Sequence, residues 1–128
     1  MGSRAIELVE KFWALMKTND FRSVGSVLAD DFLLEWPQSG ERIRGRDNYA
    51  AMNEEYPAQG RWHFTVNRIV GNDEAVSDVS VTDGVEKARA ISFFVIRDGK
   101  IARMVSSGQS PSYRWLTENT WLRRSIHT

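Results

Sequence analysis

Between Arg4 and Lys17 the apolar residues Ile6, Val9, Phe12, Trp13 and Met16 recur at spacings of three and four. That is the stripe of an amphipathic helix, with Ser3 as its N-cap and Glu7 in its first turn. Thr18-Asn19-Asp20 breaks the pattern, and Phe21, Val24, Val27 and Leu28 resume it as a short second helix ending near Asp30-Asp31. The apolar run Phe32-Leu33-Leu34-Glu35-Trp36, closed by Pro37, predicts a strand. From Gln38 to Arg46 the chain is polar and carries two glycines. Asp47 then caps a third predicted helix with Tyr49, Met52 and Tyr56, which stops before Pro57.

From Arg61 to Gly108 the period changes to two. Trp62, Phe64 and Val66 alternate with His63, Thr65 and Asn67, and Val79 and Val81 alternate with Asp78 and Ser80. Strands are predicted at 61–70, 74–83, 86–97 and 100–108, with turns at Asn72-Asp73, Asp83-Gly84 and Asp98-Gly99. The last is the strongest hairpin signal, because both residues tolerate positive φ. The segment 109–128 carries Tyr113, Trp115, Trp121 and Leu122 and is too apolar for a disordered tail. Helices gathered ahead of a mostly antiparallel sheet predict an α+β fold. In it, three N-terminal helices pack on a strongly curved sheet to make a cone with one closed end and a mouth.

Composition narrows the function more than the fold. With 128 residues the chain is read as one domain, 1–128, and its 17 basic and 17 acidic side chains cancel. A neutral chain argues against nucleic acid as a partner. The absence of cysteine removes disulfides, thiolate metal sites and cysteine nucleophiles. No membrane association, no metal and no cofactor are expected, and a cytoplasmic location is. Histidine occurs only at His63 and His127, too sparse a set for a metal site.

The element order and three motifs resemble the nuclear transport factor 2-like superfamily, in particular its SnoaL-like, ketosteroid-isomerase-like branch. The matching stretches are VEKFWALMKTNDFRSVGSVLADDF, GERIRGRDNYAAM and FFVIRDGKIARM. The resemblance implies a small-molecule pocket, with isomerase, cyclase, dehydratase or hydrolase chemistry or plain binding. Fold alone does not choose between them. The isomerase mechanism needs a base before a proline on the first strand and two oxyanion donors. An ungapped count puts Trp36, Phe12 and Phe93 at those positions, and none supplies the required proton chemistry. Steroid isomerisation by that route is therefore not expected.

Alternation puts His63, Thr65, Asn67, Asp78, Ser80 and Thr82 on one sheet face and Trp62, Phe64, Val66, Val79 and Val81 on the other. Taken alone, it sends the polar face to water and the apolar face to the helices. The resemblance implies the reverse: Val76, Asp78 and Ser80 line the cavity, and the opposite, apolar face joins a homodimer. On that second view Asp78 and His63 are the candidate catalytic residues. Asn67 and Arg89 are polar substrate contacts, and Asn53 on the third predicted helix is another. Trp13, Trp36, Tyr49, Met104 and Trp115 are candidate cavity walls for a flat or cyclic organic ligand. A catalyst, a non-catalytic ligand-binding domain and a dimeric interaction module all remain open.

Overall fold

In the computed structural model, residues 4–56 and 60–108 are described, so the segment 109–128 with Trp115 lies outside them, as does Ser3. Helix α1 spans Arg4–Lys17 and buries Ala5, Val9, Phe12, Trp13 and Met16, the expected stripe with Ala5 in place of Ile6. The second predicted helix is only a 3-10 turn, Ser23–Val27. Local hydroxyl bonds explain why it stays short. Ser23 Oγ donates to the Asp20 carbonyl at 2.6 Å and Ser26 Oγ to the Ser23 carbonyl at 2.9 Å, offering the backbone an alternative to helix. The described chain thus has two α-helices and one 3-10 turn rather than three helices.

Strand β1, Leu28–Trp36, starts earlier than its apolar run suggested. The polar stretch after it hides strand β2, Glu41–Arg44, which pairs antiparallel with β1. Helix α2, Arg46–Glu55, follows Gly45, whose φ of 87° is a conformation glycine adopts freely. Asp47 lies in the first turn of α2 and is not its cap.

The remaining strands are β3 (His63–Gly71), β4 (Ala75–Thr82), β5 (Lys87–Arg97) and β6 (Lys100–Gly108). Each boundary lies within two residues of expectation. Asp98 and Gly99 both have positive φ, 53° and 75°, and make a two-residue hairpin between Arg97 and Lys100. At the other predicted turn, Gly71 pairs with Ala75, so three residues intervene instead of two. A Cβ on Gly71 would stand 2.1 Å from the Glu74 carbonyl oxygen, so only glycine fits there. A bulge between Val66 and Arg68 shifts the register, so Asp78 faces Arg68 across the ladder and not Asn67.

The sheet order is β2-β1-β6-β5-β4-β3. Four neighbouring pairs are antiparallel, while β1 and β6 run parallel, so the sheet is mixed. Helix α1 packs on β3 and β4, and α2 packs on β1 and β2. Both lie on one face, which we call the inner face. Phe12, Phe32, Leu34, Ile43, Val79, Phe94 and Ile101 are sealed there. Each such side chain contributes about 1.5–3 kcal/mol through removal from water.

The inner face is the apolar one. Val79 is fully buried, and Phe64, Val66 and Val81 pack against the core beneath the helices. The reversal implied by the resemblance is therefore corrected. Val76, Asp78 and Ser80 point to the outer face, and Phe64, Val66, Val79 and Val81 form no outer dimer patch. The reason lies in α1, whose Phe12 and Trp13 rings need apolar neighbours. The Trp13 ring lies tilted against Phe64 at 5.6 Å, and Phe12 meets Phe94 edge-on at 5.4 Å.

Candidate functional site

On the inner face, aromatic rings and a few buried polar groups occur together. The Trp13 indole Nε1 donates to Ser77 Oγ at 3.1 Å, with both residues buried. Helical spacing turns Trp13 onto β4, and the period of two brings Ser77 up beneath it. Tyr49 rises from α2 between Phe32, at 5.3 Å, and Phe12, at 6.2 Å. Its hydroxyl donates to the Met16 sulfur at 3.9 Å, a weak acceptor. Burial holds the Tyr49 phenol well above the usual tyrosine range, with the Asn53 side chain acting the other way. Asn53 Nδ2 also donates to the Tyr49 carbonyl at 2.8 Å, one helical turn back. Ser92 and Ser106 share a hydroxyl–hydroxyl bond of 3.0 Å between β5 and β6. Met104 is buried opposite Phe94 on the same side.

Among the described residues, one polar group of this side has no partner. Glu41 is 6% exposed, and neither carboxylate oxygen has a hydrogen bond. It opens β2 directly across from Trp36 of β1, two residues before buried Ile43, which faces Leu34. A short turn fixes that pairing, the Gly40 N–H donating to the Trp36 carbonyl at 2.9 Å. Trp36, the position that the resemblance assigns to the isomerase base, is half-buried against the core. Sequence reasoning passed over Glu41 because ERIR sits in a polar stretch. The available signal was its alternation, since a buried Ile43 carries Glu41 to the same face.

The other predicted site residues gather outside. Arg89 holds Asp78 through two bonds, Nε to Oδ1 at 2.8 Å and Nη2 to Oδ2. Asn67 reaches in from the bulge, donating to Ser80 Oγ at 2.8 Å and to Asp78 Oδ1 at 3.4 Å. The Arg89 bonds hold the Asp78 carboxyl below its ordinary value, with Asn67 and Arg68 adding in the same sense. That shift makes Asp78 a weaker base. His63 is exposed on the same face, four residues from Asn67 along β3 and opposite Thr82 on β4. The structure thus brings Asp78, Asn67 and Arg89 together, and it collects Trp13, Trp36, Tyr49, Asn53 and Met104 on the helix side. The two groups lie on opposite sides of the sheet. Phe93 also faces outward, 53% exposed, with Ser92 and Phe94 at the neighbouring inner positions. Among the described residues no three histidine, aspartate or glutamate side chains come together as a metal site, and no helix is long and apolar enough to cross a membrane.

A mixed six-stranded sheet with helices on one face and an aromatic interior is the layout of the nuclear transport factor 2-like proteins. Residues 9–104 match the SnoaL-like domain family, and the chain belongs to that branch of the superfamily. It is 30% identical to a putative ketosteroid isomerase from Kribbella flavida, over 84% of this chain and 78% of that one, with a TM-score of 0.76. A protein of unknown function from Burkholderia xenovorans shares 25% identity over 91% of this chain and 94% of its own, with a TM-score of 0.73. A Mycobacterium tuberculosis protein solved with estradiol-17β-hemisuccinate shares the fold at 19% identity and a TM-score of 0.67, covering 82% of this chain and 93% of that one. No curated protein is detectably similar in sequence.

Proposed function

We propose that this domain takes up a small, largely apolar organic molecule between its two α-helices and the inner sheet face. One observation carries the reading: the aromatic rings of Phe12, Trp13, Phe32 and Tyr49 share the inner face with a few polar groups withheld from water, among them Ser77 bonded to Trp13. Small-molecule sites have that composition. The steroid ester bound by the Mycobacterium tuberculosis relative supports a ligand of this class. Isomerase-, cyclase-, dehydratase- or hydrolase-type acid–base chemistry is the activity such a site would host. A non-catalytic binding role is the second reading, and it is favoured by Asp78 and His63 lying on the sheet face away from the helices. Estradiol-17β-hemisuccinate is the first probe. Saturable binding that raises the Tm of the wild-type domain, and is lost on Trp13→Ala, supports the site, whereas binding unchanged by that substitution removes it.

We also propose that the domain pairs with a second copy through the outer sheet face. The supporting feature is a cross-strand row: Val70 opposite Val76, Val76 opposite Phe93, and Phe93 opposite Val105. Phe93 and Val70 are 53% and 43% exposed, a continuous apolar strip that water disfavours. It replaces Phe64, Val66, Val79 and Val81, the apolar set that the resemblance turned outward.

A further inference from the structure

A buried carboxylate with no donor on either oxygen is rare in a folded protein, because the group has given up water without replacement. Glu41 is in that state. Its position is not an accident of a loose loop: the ladder fixes it opposite Trp36, and buried Ile43 fixes the strand's facing. The nearby arginines do not neutralise it. Arg42 and Arg44 alternate to the outer side and are exposed, and Arg46 is paired with Asp30 at 2.7 Å. Among the described residues no cation forms an ion pair with Glu41.

Resting on the binding reading above, we propose that Glu41 and Trp36 form the anchoring end of the site, holding a protonated amine carried on an apolar body. The carboxylate supplies charge and two acceptors, and the indole across the ladder supplies a ring face attractive to a cation. Half-buried Trp36 places the pair where the core meets solvent, so an amine reaches the carboxylate without crossing the whole interior. An ammonium ion fits this arrangement better than a hydroxyl does, because one donor satisfies one oxygen and leaves the charge unanswered.

The same feature predicts a stability signature. A side chain kept for its ligand at a cost to the empty protein leaves that protein more stable when it is removed. A structural carboxylate does the opposite.

The test uses 2-phenylethylamine and 2-phenylethanol as probes, with Glu41→Gln and Glu41→Leu as variants. Calorimetric titration is expected to show the amine binding wild type about tenfold or more tightly than the alcohol. Glu41→Gln abolishes that preference while leaving alcohol affinity within about twofold, a change too small for a lost charged bond. Without ligand, Glu41→Leu raises the Tm by several degrees. Equal affinities for amine and alcohol in the wild type overturn the anchor and leave the apolar site standing. A fall in Tm for both variants also overturns it, since Glu41 is then structural. Binding of neither probe to wild type removes the site reading and the anchor together.

Discussion

The indole nitrogen of Trp13 and the hydroxyl of Ser77 meet at 3.1 Å, 64 residues apart in the chain, and tie α1 to β4, the strand beside the β3 edge of the sheet. Both residues are buried, so neither finds water if the other is lost. Ser77→Ala is expected to cost about 1–3 kcal/mol, the price of an orphaned buried donor. Urea unfolding checks this through a lower midpoint at unchanged m-value. An unchanged midpoint would show that the indole has another partner.

Asp78 and Arg89 predict an acid dependence. The Asp78 carboxyl is held below its unfolded value, chiefly by hydrogen bonds from Arg89. A lowered folded pKa stabilises above the unfolded pKa and is lost as pH falls through the folded one. Asp78→Asn is therefore expected to be less stable than wild type at pH 7, with the gap closing below about pH 4. Added salt narrows it as well, because Arg89 is exposed. A gap independent of pH would assign the effect to shape rather than charge.

Phe93→Glu places a charge in the centre of the outer apolar row. Since Phe93 is 53% exposed, folding stability should change by no more than about 0.5 kcal/mol. Sedimentation should nevertheless shift from dimer to monomer mass at micromolar concentration. A wild-type protein that is already monomeric refutes the proposed pairing.

A β,γ-unsaturated ketosteroid is expected to stay unconverted, with no growth of conjugated-enone absorbance. Phe12 is sealed in the core, Trp36 has no basic atom, and Phe93 points away from the helices. Efficient turnover would mean that other residues, Tyr49 and Glu41 first among them, do the proton chemistry.

Local rules made much of the fold readable. The stripe through Val9, Phe12, Trp13 and Met16 became α1, and Asp98-Gly99 became the tight hairpin it signalled. Period-two alternation located β3 to β6 and correctly separated two faces. Taken alone it also sent the apolar face to the helices, as observed, and the reversal came from the resemblance. The contact that fixes the facing, α1 bringing Trp13 down beside Phe64 and Ser77, joins residues far apart in sequence. The bulge at Asn67 was equally hidden, since nothing local distinguishes a regular ladder from one with an inserted residue. Glu41 was missed for a third reason: a charged residue in a polar stretch looks solvated until its strand is paired. The aromatic walls were legible as residue types, while the unpaired carboxylate among them required the tertiary structure.

The parallel contact between β1 and β6 also orders events in time. Strands β3 to β6 follow one another through hairpins and can zip from local contacts, but β1 joins only beside the last of them. Pairings that span most of a chain close slowly, since the loop between them must first be confined. On the ribosome, Phe32, Leu34 and Ile43 have emerged long before the strand that completes their sheet. Until β6 arrives, the β1–β2 hairpin offers an open edge and an uncovered apolar face to whatever is nearby. The interval between those two strands is when this chain is most exposed to misassembly and has most need of a chaperone.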